Sequence, residues 1–242
     1  MKDELYIFRR GFNYSQDGPG NRLIYHLKGC NLFCPWCSNP DGMLREKEDK
    51  PTPVSDLVNE ALSCVPMFFD GGGVTLTGGE VSMQADGVQN LLQNLQSAKI
   101  HTAIESNASL SGFREIIPYA DYIMVDFKSA DSKCSKEMIG IDAETVLENL
   151  KFALKEGHTL HIRIPLIHNF NDRKEQREKI ADVLSSLDGN FDVEILPYHE
   201  YGKEKWEKSG RKYTVTDGFV LPETVADFIN ELTNAGITVI KT

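Results

Sequence analysis

Residues 23–42 read LIYHLKGCNLFCPWCSNPDG, an apolar run with strand character that passes directly into a loop holding Cys30, Cys34 and Cys37. Three closely spaced thiols are an incomplete set for a structural zinc or an electron-transfer iron–sulfur cluster, each of which normally takes four protein ligands. The trio therefore points to a metal centre that keeps one coordination position open for chemistry. A strand that ends in reactive loop residues is also the arrangement of parallel βα folds, whose working groups sit at the C-terminal strand ends.

Other uses of these thiols are weaker. A zinc site built from paired C-x2-C half-sites wants a second pair downstream, and only Cys64 and Cys134 remain, both isolated. A thioredoxin-like motif could use Cys34-Pro35-Trp36-Cys37, but Cys30 stands outside it and the thioredoxin context is missing. Cys64 and Cys134 read as packed or merely tolerated thiols.

Working outward, β-rich apolar runs at 74–77, 102–105, 122–127, 160–167, 193–197 and 237–240 alternate with helical periodicity. Val88, Leu91, Leu92 and Leu95 form one such stripe, and Val225, Phe228, Ile229 and Leu232 another. The alternation predicts an α/β fold with a mostly parallel sheet. A charged, proline-containing stretch at 45–53 reads as a connection, with a helix starting near Ser55. About six βα units are too few for a closed eight-fold barrel. The expectation is a partial (β/α)6 TIM-like open barrel, a single domain over residues 1–242.

Polar groups recur at the strand ends: Gly78, Gly79 and Glu80, then Glu105-Ser106-Asn107, Asp126 and Lys128, Arg163, and His199. Each alone has an ordinary explanation as a helix cap, a salt bridge or a structural histidine. Together, beside the cysteines, they suggest one mouth.

Composition sets bounds. A net charge of −10 gives no electrostatic footprint for nucleic acid. The start Met1-Lys2-Asp3-Glu4 lacks the apolar region of a signal peptide, and no run approaches the roughly 18 apolar residues that span a bilayer. A cytoplasmic protein without membrane partners is expected. An odd number of cysteines suits a reducing compartment and an oxygen-labile centre used anaerobically.

The C-x3-C-x2-C spacing is that of the radical S-adenosylmethionine superfamily. The longer series DGPGNRLIYHLKGCNLFCPWCSNPDG, GGGVTLTGGE, HTAIESNAS, YIMVDFKS and EILPYHEYGKEKW, spread over residues 17–206, resembles the glycyl-radical-enzyme activating enzymes. The resemblance implies that Cys30, Cys34 and Cys37 hold three irons of a 4Fe-4S cluster, whose fourth iron is chelated by S-adenosylmethionine. It implies cofactor contacts at Gly78, Gly79, Glu80, Glu105, Asp126, Lys128, Arg163 and His199. Glu105 and Asp126 would also hold a monovalent cation, and Asp17 would grip the glycine loop of a partner enzyme.

The implied reaction is reductive cleavage of S-adenosylmethionine and abstraction of a hydrogen from that glycine, with a flavodoxin- or ferredoxin-type reductant. Two departures stand out: Val81 follows Gly-Gly-Glu where proline is usual, and Glu105-Ser106-Asn107-Ala108 replaces a DTNG-like motif. The segment after Cys37 lacks a ferredoxin-like insertion, so one cluster is expected. Rival readings are a radical enzyme acting on a small molecule and a non-catalytic iron–sulfur electron carrier.

Overall fold

The structure is a computed structural model that describes residues 2–241. Contacts gather these residues into two compact units. The first comprises the chain up to Asn31 together with Asp41–Met124. The second comprises Leu32–Pro40 together with the chain from Val125 onward.

In the first unit, β1 (Glu4–Leu5) pairs antiparallel with β4 (Thr52–Pro53), immediately ahead of α1 (Val54–Ser63). The main strands are β2 (Ile7–Tyr14), β3 (Asn21–Leu27), β5 (Gly73–Gly78) and β6 (Thr102–Ser106). β2 runs antiparallel to β3, β3 parallel to β5, and β5 parallel to β6. Helices α2 (Ala85–Ser97) and α3 (Gly112–Ile116) follow β5 and β6. The α2 stripe reads as expected: Val88, Leu91, Leu92 and Leu95 are fully buried, each stabilising the fold by about 1.5–3 kcal/mol relative to exposure.

A basic side chain lies inside this unit. Arg22 is 0% exposed, and its guanidinium donates to Thr75 Oγ1 at 2.6 Å, Val74 O at 2.7 Å and Pro19 O at 3.1 Å. Burial lowers its pKa to about 10, against the pull of Asp121 and Asp17. Arg22 thereby pins the Asp17-Gly18-Pro19-Gly20 turn to the N-terminal ends of the strands.

The chain passes from one unit to the other inside β7 (Tyr122–Asp126). In the second unit, β8 (Leu160–Leu166) is parallel to β9 (Phe191–Pro197), which is parallel to β10 (Val239–Ile240). Its helices are α4 (Ser132–Ile139), α5 (Ala143–Lys155), α6 (Lys174–Ser185), α7 (Lys203–Lys208) and α8 (Pro222–Asn234). The Asp131 carboxylate caps α4 by accepting from Cys134 N–H at 3.0 Å, which satisfies one of the orphan donors of the first turn.

Along the chain, β3, β5, β6, β7, β8 and β9 are each followed by helix, so the α/β class and its βα rhythm are as expected. The sequence reading did not anticipate β2. Its residues IFRRGFNY carry no clean two-residue alternation, because most of them are exposed or half-exposed.

Candidate active site

In the first unit the C-terminal ends of β3, β5 and β6 are laced together. Gly79 N–H donates to Leu27 O and Glu80 N–H to Gly29 O, both at 2.7 Å, so the Gly-Gly-Glu turn lies against the lead-in to Cys30. A Cβ on Gly79 would lie 2.1 Å from Gly29 O. One on Gly78, where φ is +109°, would lie 2.6 Å from Leu27 N. Glycine is required at both by close backbone approach, and at Gly78 also by conformation.

Glu80 is 1% exposed. Its Oε1 accepts from Ser82 N–H at 3.0 Å, from the Ser82 hydroxyl, and from Ser106 Oγ at 2.6 Å. Its Oε2 accepts from Asn107 N–H at 2.7 Å. The Asn107 side-chain amide donates to Asn31 Oδ1 at 3.1 Å, and Asn31 donates to Ser109 Oγ at 2.7 Å. One polar chain thus runs from the residue beside Cys30 to the ends of β5 and β6. The Thr77 hydroxyl donates to Glu105 Oε2.

Asp17 is placed elsewhere in this unit. It sits in the turn before β3, whereas Cys30 follows the other end of that strand. Its Oδ2 accepts from Asn13 Nδ2 at 2.6 Å.

In the second unit, Cys37 N–H donates to Cys34 O at 3.1 Å, closing the turn between the two thiols. Trp36, 8% exposed, packs on Phe170 with ring centroids 4.7 Å apart. Asn39 N–H points at Cys37 Sγ from 3.3 Å. Burial pushes the Cys37 thiol up, while Asn39 N–H, Lys128 and Lys205 pull the other way.

Lys128 Nζ bonds Asp126 Oδ2 at 2.9 Å. Asp126 Oδ1 is buried and has no hydrogen-bond partner among the described residues. A buried acceptor left so is costly, by about 1–3 kcal/mol, and marks a place for a donor or cation.

Arg163, expected at a strand end, lies instead in the middle of β8, where its Nε donates to Glu194 Oε2 at 3.2 Å, directly across the ladder. His199 follows β9, stacks on Tyr201 at 4.2 Å, and is held below the ordinary imidazole pKa by burial. Cys64 and Cys134 are half-buried free thiols, like the remaining cysteines free of disulfides. Among the described residues, no three His, Cys, Asp or Glu side chains converge on a single metal position.

The Radical SAM superfamily matches residues 24–184, and the chain belongs to that superfamily. Within it, the chain is similar to the pyruvate formate-lyase-activating enzyme of Staphylococcus aureus, 31% identical over 210 residues that cover 83% of this chain and 84% of the relative. A solved domain of a pyruvate-formate lyase-activating enzyme from Bacteroides vulgatus matches 70% of this chain and 98% of its own, with TM-score 0.59 and 24% identity. A radical SAM methyltransferase from Sphaerobacter thermophilus matches 98% of this chain and 76% of its own, with TM-score 0.69 and 13% identity. The last two likenesses show the fold, the partial TIM-like barrel of radical SAM enzymes.

The cofactors of the family are a 4Fe-4S cluster and S-adenosylmethionine. The residues present fit them: three uncrosslinked thiols, an N–H directed at one sulfur, and an orphaned carboxylate oxygen on Asp126.

Some residues of this arrangement escaped sequence reasoning. Asn31, Ser82 and Ser109 carry no signal beyond adjacency to a motif. Lys205 and Trp206 lie in the quoted EYGKEKW segment, which drew notice as a pattern without a reason for its cation and indole. No helix among the described residues is long and apolar enough to cross a membrane.

Proposed function

We propose that this protein installs a glycyl radical on a partner enzyme, acting as one radical SAM domain over residues 1–242 in the cytoplasm. The observation that carries the reading is the 31% identity, over 83% of the chain, to a protein named pyruvate formate-lyase-activating enzyme. Cys30, Cys34 and Cys37 hold the single cluster, and a flavodoxin- or ferredoxin-type protein delivers the electron. When bound and reduced, the cluster and S-adenosylmethionine supply the 5′-deoxyadenosyl radical that takes hydrogen from glycine.

The work of the chain itself is binding and orientation. Gly78 and Gly79 let backbone approach the methionyl group, and Glu80 faces its ammonium or orients the turn that does. Asp126, through Oδ1, and Glu105 offer oxygen to a monovalent cation or to cofactor donors. Lys128 and Arg163 supply positive charge for a carboxylate, and His199 contacts the adenosine part. Asp17 grips the partner's glycine loop, which must enter near-contact geometry, roughly 3–3.5 Å between reacting atoms.

The test is anaerobic. Protein reconstituted with iron and sulfide is given dithionite and S-adenosylmethionine, with Cys30→Ala as control, and 5′-deoxyadenosine is assayed with and without a glycyl-radical enzyme. Product from wild type alone, with a glycyl doublet in the partner's EPR spectrum, supports the reading. Product without a radical on any glycyl-radical enzyme tried shifts the assignment to a small-molecule substrate. No product despite a confirmed cluster leaves an electron carrier.

A further inference from the structure

The backbone that follows Cys37 is held by three side chains from one short stretch of the second unit. Trp206 Nε1 donates to Cys37 O at 2.9 Å, Lys205 Nζ to Ser38 O at 2.8 Å, and Arg211 to Pro40 O at 3.1 Å. Lys205 also reaches Asn39 Oδ1 at 3.4 Å. Gly202, at the start of α7, is pressed so close that a Cβ there would lie 2.3 Å from Cys37 O. Trp206 is steadied in turn by Tyr213, edge-on at 6.0 Å.

Every carbonyl engaged belongs to the four-residue turn that aims Asn39 N–H at Cys37 Sγ. The clamp fixes that turn from outside, and with it the direction of the N–H. The ammonium of Lys205, bonded to the carbonyl of the residue next to Cys37, places a positive charge beside this turn.

We infer that Lys205, Trp206 and Arg211 are positioning residues that set the electron affinity of the cluster, by locking the Asn39 N–H onto the Cys37 sulfur and by placing positive charge behind it. The physics is that of second-shell tuning: hydrogen bonds to a ligating sulfur and nearby positive charge favour the more negative, reduced state. A one-electron donor is needed by the proposed reaction, so this clamp decides which donors are strong enough to serve. The inference rests on the ligand role of the cysteines given above.

The experiment is an anaerobic redox titration followed by EPR on reconstituted wild type, Lys205→Met, Lys205→Arg and Trp206→Phe, with iron content and circular dichroism measured on each. Trp206→Phe keeps an aromatic ring and deletes the donor; Lys205→Met keeps the stem and deletes the charge. Both are expected to move the midpoint negative by a tenfold change in the reduction equilibrium, about 59 mV for one electron, and Lys205→Arg to stay near wild type. A clamp with only a structural role would lower iron content or melting temperature and leave the midpoint of the loaded fraction unmoved; that result overturns the inference. If one variant fails to load, the midpoint of the other decides. Absence of any cluster in wild type would overturn the ligand assignment and the clamp with it, and the wild-type spectrum tells the two failures apart.

Discussion

The Glu80 carboxylate accepts the backbone N–H of Asn107 at 2.7 Å, tying the end of β5 to the end of β6 in the interior of the first unit. With Ser82 and Ser106 also donating to it, Glu80 holds the turn after β5 and the loop after β6 in one network. Val81, next in the chain, and the Glu105–Ala108 segment, through Ser106 and Asn107, both adjoin this carboxylate.

Glu80→Gln turns an acceptor into a donor facing other donors. Since an unsatisfied buried polar group costs about 1–3 kcal/mol, the variant is expected to lose about 2 kcal/mol in urea unfolding of the metal-free protein. A loss below about 0.5 kcal/mol, the usual size of a neutral surface change, would mean that the network is not formed.

Gly79→Ala meets backbone rather than a movable side chain, with the new Cβ 2.1 Å from Gly29 O. Overpacking against movable groups costs about 1–3 kcal/mol, and here the loss is expected at or above that range. Gly157→Ala, where nothing lies within 4 Å but φ is +85°, is the comparison and should cost less. Equal midpoints in denaturant would contradict the close approach.

Arg22→Leu strips donors from Thr75, Val74 and Pro19 while keeping an apolar stem in the core. A destabilisation of about 3 kcal/mol follows from orphaned buried acceptors. The Asp17–Gly20 turn should also become susceptible to limited proteolysis. A variant as stable and as resistant as wild type would remove Arg22 from its proposed place as a pin.

The Asp131 carboxyl is held at about 2, first by the Cys134 N–H and then by Lys179. Because the folded value lies below the ordinary one of about 3.9, its contribution is present above that pH and is lost as pH falls towards 2. Asp131→Asn keeps a capping oxygen but not the charge. Its deficit relative to wild type should therefore be seen at pH 6 and shrink by pH 2 in thermal melts; a deficit independent of pH would contradict the linkage.

The periodic elements were readable from sequence because their chemistry is local. The α2 stripe and the starts of the parallel strands come from residue spacing alone, and Gly78 to Glu80 and Glu105 to Asn107 fall at the C-terminal ends of β5 and β6 as expected. β2 was hidden because an exposed strand needs no alternation. The polar links were hidden for a different reason: Asn31 meets Asn107 across 76 residues and Trp206 meets Cys37 across 169. Nothing in the local sequence encodes such separations. Arg163 was expected at a strand end but lies within β8, and its cross-strand partner Glu194 depended on register.

The placement of Asp17 before β3 and Cys30 after it makes that strand a ruler. At about 3.3 Å per residue, the run from Asn21 to Leu27 measures about 20 Å. On the proposed role of Asp17, an extended polypeptide held at that turn and reacting at the cysteine end would itself supply about six residues between grip and target. Synthetic peptides shorter than that would be bound or attacked, but not both, and the length at which the two coincide would be read from a series of truncated peptides.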